Sequence, residues 1–254
     1  MDSSVSTHTA PEIIKLMGHD LRWQLLKALA WGDLRVNELV HLTGQPQNLI
    51  SYHLKKLRDY ALVTERRSSA DNRALYYSLD IEAMRFLFMQ SAKALHPAIS
   101  CMQEISDPLQ GTGKTSRVLF LCTHNSARSQ MAEGLLRKRS KGQFSVFSAG
   151  TEPTAVHPLA IQALDELGVD IRQQRSKSMD EYLSQSFDYT ITVCDRAREA
   201  CPVFPGDPVQ LHWSFPDPLA VQGSEAVQLE AFRKIAGQLD KRIENFLLAV
   251  SSSF

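Results

Sequence analysis

A cysteine and an arginine stand six positions apart, at Cys122 and Arg128, between an apolar run and a helical pattern. The run 118–121 predicts a buried strand, and Met131 and Leu135 recur at the spacing of a helix. A loop between such elements can point its backbone N–H groups at an anion, and the helix after it adds its positive N-terminal end. The spacing therefore predicts a pocket for a tetrahedral oxyanion with a sulfur nucleophile.

The side chains of this segment have distinct expected tasks. The planar guanidinium of Arg128 can hold two anion oxygens at once, and its charge is expected to lower the pKa of Cys122 until the group is a thiolate near neutral pH. Ser129 is placed to hydrogen-bond that thiolate. The oxyanion-binding loop itself comprises Thr123, His124, Asn125, Ser126 and Ala127. A buried structural cysteine at the end of a strand is the alternative interpretation.

Composition sets the general class of the protein. With 254 residues, 43% hydrophobic and 22% charged, the chain has room for two globular domains. No apolar run approaches the roughly 20 residues that cross a bilayer, and no signal pattern opens the chain, so a cytoplasmic protein without membrane contact is expected. The formal net charge is zero, so any binding of nucleic acid must come from a local basic patch.

The four cysteines are too few for a disulfide framework and are better interpreted as catalytic or redox thiols. They are Cys101, Cys122, Cys194 and Cys201. They form no Cys-x2-Cys pair, and the eight histidines add no zinc pattern, so no metal site is expected.

A stretch rich in Gly, Pro, Ser and Thr over 106–116 predicts a linker, and hence domains over 1–105 and 117–254. Gly113, Lys114 and Thr115 look like the end of a nucleotide-binding loop. Pro108 stands where that loop requires glycine, and a strand follows instead of a helix, so nucleotide binding is rejected.

The N-terminal domain is predicted to be a winged helix-turn-helix of α+β class. Asp20 is expected to cap a first helix, a short helix follows over 36–42, Gly44 makes the turn, and Pro46 opens a third helix. On the third helix, polar and basic side chains fall opposite the apolar stripe, where a major groove could lie. These candidate DNA-binding residues are Gln47, Asn48, Ser51, Tyr52, Lys55 and Lys56.

Two strands over 62–67 and 74–79 predict a β-hairpin wing that Arg66, Arg67 and Arg73 make basic, as phosphate contacts require. A small helical domain with a solvated charged face is the alternative. Residues 80–105 are apolar on several faces, which predicts dimerisation and a two-fold palindromic operator.

Strands and helices alternate after the linker, which predicts an α/β domain with a parallel sheet and a ligand site at the carboxyl ends of its strands. Beyond the opening strand, loop and helix, the expected elements are a strand over 144–147, a helix over 158–167, a strand over 189–193 and a helix over 225–247.

The N-terminal third resembles ArsR-type winged-helix repressors, through the stretches 47–58 and 75–79. Residues 117–254 resemble the low-molecular-weight phosphatase fold and, within it, the thioredoxin-coupled arsenate reductases. The stretches that carry this resemblance, besides the Cys122 loop, are 148–153, 175–178, 192–195, 201–202 and 212–218.

The resemblance implies a mechanism. Cys122 attacks the arsenic of arsenate, for which phosphate or sulfate is an analogue, while Arg128 stabilises charge and Asp217 protonates the departing oxygen. Cys194 then attacks Cys122, arsenite leaves, and Cys201 takes over to give a Cys194–Cys201 disulfide that thioredoxin or a similar thiol reduces. The resemblance also implies that the enzyme has no tightly bound cofactor. For the first domain, it implies that the partner is operator DNA.

Departures from the two families keep alternatives open. The stretch 36–42 lacks the Cys-x-Cys arsenite sensor that repressors often carry, so the inducer is not assigned. Leu219 and Ala220 stand where tyrosine phosphatases of this fold tend to have tyrosines, which favours a small oxyanion with at most weak phosphatase activity. A tyrosine phosphatase fused to a DNA-binding domain and a non-catalytic oxyanion-sensing regulator are the competing hypotheses. The Cys194 and Cys201 pair favours the reductase.

Overall fold

A computed structural model describes residues 10–71, 73–96 and 115–251. The chain divides into two compact units: an N-terminal unit with the described residues up to Arg66 and from Ala74 to 96, and a C-terminal unit that also includes the short segment Arg67–Arg73. Cys101, the predicted linker residues 106–114 and the end of the predicted dimerisation segment, 97–105, lie outside the described residues. Ser116, at the end of the predicted linker, is already the first residue of a strand.

The N-terminal unit has five helices and a small sheet in its described part. The helices are α1 (Glu12–Met17), α2 (Asp20–Leu29), α3 (Val36–Thr43), α4 (Gln47–Asp59) and α5 (Ile81–Leu95). The strands are β1 (Leu34–Arg35), β2 (Val63–Arg67) and β3 (Leu75–Leu79), in the sheet order β1-β3-β2. This is the predicted winged helix-turn-helix. The two-residue strand β1 was not foreseen, since it is too short to show a pattern.

The helix-turn-helix closes around buried leucine and isoleucine side chains. Leu25 of α2, Leu39 of α3 and Ile50 of α4 are all wholly buried. Gly44 ends α3 with a φ of 66°, a left-handed conformation that glycine adopts without strain. The prediction that Asp20 caps α2 is wrong. His19 is the N-cap, because its imidazole nitrogen accepts from the N–H of Leu21, and Asp20 is the first helical residue.

The C-terminal unit is built on a parallel sheet in the order β5-β4-β6-β7. Its strands are β4 (Ser116–Cys122), β5 (Phe144–Gly150), β6 (Tyr189–Thr192) and β7 (Val209–His212). Its helices are α6 (Arg128–Arg139), α7 (Pro158–Asp165), α8 (Asp195–Glu199) and α9 (Glu225–Ser251). The predicted α/β class with a parallel sheet is confirmed. In the described part of the chain, no helix is long and apolar enough to cross a membrane.

Strand alternation gives the central strand β4 two different environments. Phe120 and Cys122 face the core that α6, α7 and α9 cover, whereas Leu119 and Leu121 face a second cluster that includes Phe204. Because Cys122 is the last residue of β4, its side chain comes out at the carboxyl edge of the sheet. This is where an open parallel sheet places its ligand site.

Candidate active site

The sulfur of Cys122 lies inside the loop that joins β4 to α6. Its Sγ is 2.8 Å from the hydroxyl oxygen of Ser129 and accepts a hydrogen bond from the backbone N–H of Asn125 at 3.1 Å. The residue is 3% exposed. The predicted contact between Ser129 and the thiol is therefore present.

The loop carbonyl oxygens are bound from outside the loop. The backbone N–H groups of Glu152, Thr154 and His157 donate to Thr123, His124 and Ser126, each at 2.9 Å, and the Ser176 hydroxyl donates to Asn125 at 2.6 Å. In a trans peptide the N–H points away from the carbonyl of the same unit. The N–H groups that follow these carbonyls therefore face the interior of the loop, which is the geometry of an anion-binding nest.

A glycine makes this close approach possible. Gly150 pairs with Cys122 across β5 and β4. A Cβ at Gly150 would lie 2.5 Å from the carbonyl oxygen of Thr123 and 2.8 Å from the nitrogen of Asn125. Asn125 itself has a φ of 46°. The loop thus folds back against a strand that has no side chain at this position.

Asn125 also ties the loop to a buried polar network. Its Nδ2 donates to the hydroxyls of Ser129 and Ser148, each at 2.8 Å. Ser148 in turn donates to Glu133 at 2.6 Å, and the Glu133 carboxylate pairs with Lys177 at 3.1 Å. Sequence reasoning assigned no role to Glu133 or Lys177. The signal for Glu133 was a charged residue among the apolar positions of α6, whereas Lys177 lies outside the helices and strands.

Arg128 is held at the mouth of the loop. Its Nη1 donates to the carbonyl of Phe215 and its Nη2 pairs with Asp217 Oδ2, both at 3.1 Å. The Arg128 side chain is 8% exposed, whereas that of Asp217 is 32% exposed. Asp217 Oδ1 accepts the N–H of Leu219 at 3.2 Å, which fixes the carboxylate at the start of a 3₁₀ turn. The structure thus brings together the predicted guanidinium and acid.

The second cysteine lies at the end of the neighbouring strand. The N–H of Val193 donates to the carbonyl of Leu121 at 2.8 Å, so Cys194 follows β6 beside Cys122. The hydroxyl of Thr123 is 3.4 Å from the Cys194 sulfur. Two predicted thiols are therefore adjacent at one edge of the sheet.

The third predicted thiol packs against a different hydrophobic cluster from the first two. Cys201 lies beyond α8, its sulfur 3.6 Å from the carbonyl of Pro202, and it packs against the cluster on the opposite face of the sheet. All three described cysteines are free. A disulfide between Cys194 and Cys201 therefore requires the α8 segment to move.

The pKa of Cys122 departs from the sequence prediction. Burial raises the pKa of this thiol above its ordinary value and the adjacent Cys194 raises it further, while Ser129 and Arg128 lower it. The net direction is upward, opposite to the lowering that the charge of Arg128 alone predicts. The sequence shows the positive charge of Arg128, but it does not show complete desolvation.

Ser129→Ala should move the titration of Cys122 to still higher pH, because the variant lacks a hydrogen bond that favours the thiolate. The rate of Cys122 alkylation by iodoacetamide, followed by peptide mass spectrometry, should rise with pH in both proteins and rise later in the variant. Ser184→Ala, at an exposed serine, is the matched control and should follow the parent. An unchanged profile in Ser129→Ala would show that the hydroxyl does not act on the thiolate.

The candidate DNA-binding residues share the solvent face of α4. Gln47, Asn48, Ser51, Tyr52, Lys55 and Lys56 are all exposed. The ammonium of Lys56 lies 5.8 Å from the ring centre of Tyr52. In the wing, Arg67 and Arg73 are exposed and Arg66 is half-buried. Helix α5 exposes Phe86, Phe88, Met89 and Leu95.

Comparisons with known proteins match both units. The sequence model for low molecular weight phosphotyrosine protein phosphatases matches residues 117–253, and that for bacterial regulatory proteins of the arsR family matches residues 19–65. An arsenate reductase of Halalkalibacterium halodurans is 40% identical over 129 residues, which are 51% of this chain and 93% of that protein. An arsenate reductase of Bacillus subtilis is 36% identical over the same shares of both chains.

A solved structure of a thioredoxin-dependent arsenate reductase from Corynebacterium glutamicum is 25% identical and covers 91% of this chain and 98% of its own, with a TM-score of 0.45. The chain belongs to the low-molecular-weight phosphotyrosine protein phosphatase family. More particularly, it joins an ArsR-family helix-turn-helix to a family member whose curated relatives are arsenate reductases. In the described residues, no group of three or more His, Cys, Asp or Glu side chains could hold a metal ion.

Proposed function

We propose that the C-terminal domain reduces arsenate to arsenite and that the N-terminal domain binds operator DNA as a repressor. One observation carries the enzymatic part: a buried thiol, Cys122, lies in a loop of inward N–H groups with a second thiol, Cys194, at the next strand end. An anion-binding loop with one thiol suffices for phosphate ester hydrolysis. A two-electron reduction also requires the second thiol.

The loop binds the oxyanion. Its N–H groups and the guanidinium of Arg128 neutralise the anion, and Cys122 attacks arsenic while one arsenic–oxygen bond breaks. Asp217, paired with Arg128 at 3.1 Å, protonates the departing oxygen, which leaves as water. The thiol proton of Cys122 passes to an oxygen of the bound arsenate, and the Ser129 hydroxyl, 2.8 Å from the sulfur, stabilises the thiolate as it attacks.

Electron transfer follows at sulfur. Cys194, as a thiolate, attacks the sulfur of Cys122, a disulfide forms, and the electron pair of the breaking sulfur–arsenic bond stays on arsenic, which leaves as arsenite. Cys201 then attacks Cys194, so that the thiol of Cys122 is restored. The resulting Cys194–Cys201 disulfide is a substrate for thioredoxin or a similar dithiol in the cytoplasm.

Arsenite release by the purified chain tests this proposal. The chain is incubated with arsenate, thioredoxin, thioredoxin reductase and NADPH, and arsenic species are separated by chromatography. Catalytic arsenite formation supports the reductase. Hydrolysis of aryl phosphates or phosphotyrosine peptides without arsenite formation would favour a tyrosine phosphatase, and phosphate binding without either reaction would favour an oxyanion sensor.

The DNA-binding part rests on the exposed polar face of α4 and on the exposed arginines of the wing. Lys55 and Lys56 are exposed on this helix, and Arg67 and Arg73 flank the hairpin turn. The apolar side chains that α5 exposes fit a second copy of the same helix, and a two-fold dimer fits a palindromic site.

Lys55→Ala is expected to weaken DNA binding and to make it less dependent on salt, by about one unit of logarithmic slope for each phosphate that is no longer neutralised and hence about two in a dimer. Fluorescence anisotropy with duplexes selected from a random pool, at several salt concentrations, measures both effects. Lys15→Ala is the matched control, since it removes the same charge from a lysine that pairs with Glu12 on α1. Equal slopes in the two variants would contradict a phosphate contact at Lys55.

A further inference from the structure

A buried carboxylate beside Cys194 has no part in the thiol chemistry described above. Asp195 is the first residue of α8 and is wholly buried. Its Oδ1 accepts a hydrogen bond from the Ser214 hydroxyl at 2.6 Å and lies 3.2 Å from Nε2 of His212. Its Oδ2 accepts hydrogen bonds from the backbone N–H of Ser69 at 2.6 Å and from the Ser69 hydroxyl at 2.9 Å. A buried carboxylate is costly to desolvate unless such partners hold it, so the arrangement needs a reason.

One partner of Asp195, His212, is itself bonded to the sheet. His212 is the last residue of β7, and its Nδ1 lies 2.8 Å from the hydroxyl of Thr192, the last residue of β6. Thr192 precedes Cys194 by two residues. The carboxylate therefore connects the start of α8 to the end of β7 and, through His212, to the end of β6, the strand that Cys194 follows.

The two ends of the Cys194–Cys201 segment are held unequally. At the first end, the Cys194 sulfur also accepts the N–H of Ala197 at 3.4 Å and is 2% exposed. At the second end, the N–H of Cys201 reaches the Arg198 carbonyl only at 3.5 Å. Val203, two residues on, is 86% exposed. When the two sulfurs approach each other, the Cys201 end is the one that can move at less cost.

We infer that Asp195 is a positioning residue that holds Cys194 against Cys122 through Ser214 and His212, so that Cys201 travels to a fixed Cys194. The inference rests on the proposed reductase function. The step it controls is the attack of the Cys194 thiolate on the sulfur of Cys122. In that step a disulfide forms and two electrons pass to arsenic, which leaves as arsenite.

A single-turnover experiment isolates this step. In a Cys201→Ser background the reaction stops at the Cys122–Cys194 disulfide, and one equivalent of arsenite is released. Adding Asp195→Ala should slow that release about tenfold or more at saturating arsenate, because the attacking sulfur loses its fixed position. Asp195→Asn keeps an oxygen acceptor for Ser214 and His212 and gives up only the acceptor that Ser69 uses. Because the positioning acts through Ser214 and His212, this variant should stay within about threefold of the background.

Phosphate bound in the anion loop should protect Cys122 from alkylation by iodoacetamide, so this protection shows whether the loop is intact. The degree of protection should be the same in the Cys201→Ser background and in both Asp195 variants. If Asp195→Ala releases arsenite at the background rate, or also loses phosphate protection, the positioning role is refuted. Should Asp195→Ala fail to fold, Ser214→Ala, which removes the 2.6 Å bond alone, must slow the release for the inference to stand. Absence of arsenite from the Cys201→Ser background itself would instead refute the proposed reductase.

Discussion

Cys122→Ser is expected to reduce arsenate turnover to the background of the assay. A serine hydroxyl can neither form a disulfide nor pass two electrons to arsenic, so the loss is complete and not merely a slower reaction. Arsenite formation coupled to NADPH oxidation through thioredoxin measures it. Phosphate binding should persist, because the N–H groups of the loop and Arg128 remain. Turnover above background in Cys122→Ser would place the chemistry at another residue.

Cys201→Ser is the companion variant. It retains Cys122 and Cys194, which are adjacent at the strand ends, and should release one equivalent of arsenite per chain and then stop. Mass spectrometry of the spent protein should find the Cys122–Cys194 disulfide. Repeated turnover in this variant with thioredoxin as the only reductant would show that Cys201 has no part in the relay.

The anion loop was predictable because its signals are local. A buried strand, a loop with Cys122 and Arg128, and a helix follow one another directly in the sequence. A strand joined to a helix by so short a loop can adopt few arrangements, so the position of the loop follows from the elements on either side. The outward face of α4 was predictable for the same reason, because helical periodicity separates Ile50 and Leu54 from the exposed Lys55.

What holds the loop in shape was not predictable. The donors to its carbonyl oxygens are the backbone N–H groups of Glu152, Thr154 and His157, about 30 residues further along the chain. Almost every residue type has a backbone N–H, so the sequence does not show which residues make these bonds. The pKa of Cys122 was misjudged for a related reason. Burial by α6 and α9 is a tertiary effect, whereas the charge of Arg128 is visible in the sequence.

Gly150→Ala is expected to lower arsenate turnover about 100-fold and to destabilise the domain by about 1–3 kcal/mol. The added Cβ would stand 2.5 Å from the Thr123 carbonyl oxygen and 2.8 Å from the Asn125 nitrogen. Both of these neighbours are backbone atoms, so no side-chain rotation relieves the clash. The loop must therefore move away from β5, and its N–H groups then no longer point at the same bound anion. Urea unfolding and arsenite release measure the two effects.

Gly237→Ala is the control that shows whether any glycine-to-alanine change in this domain is harmful, or only the change that moves the anion loop. Gly237 lies on the exposed side of α9, and a Cβ there meets nothing within 4 Å. Alanine should stabilise the helix by about 0.5–1 kcal/mol and leave turnover unchanged. If Gly150→Ala behaved like Gly237→Ala, the close approach of the loop to β5 would not determine the anion site. A loss of phosphate protection at Cys122 in Gly150→Ala alone would locate the damage in the loop.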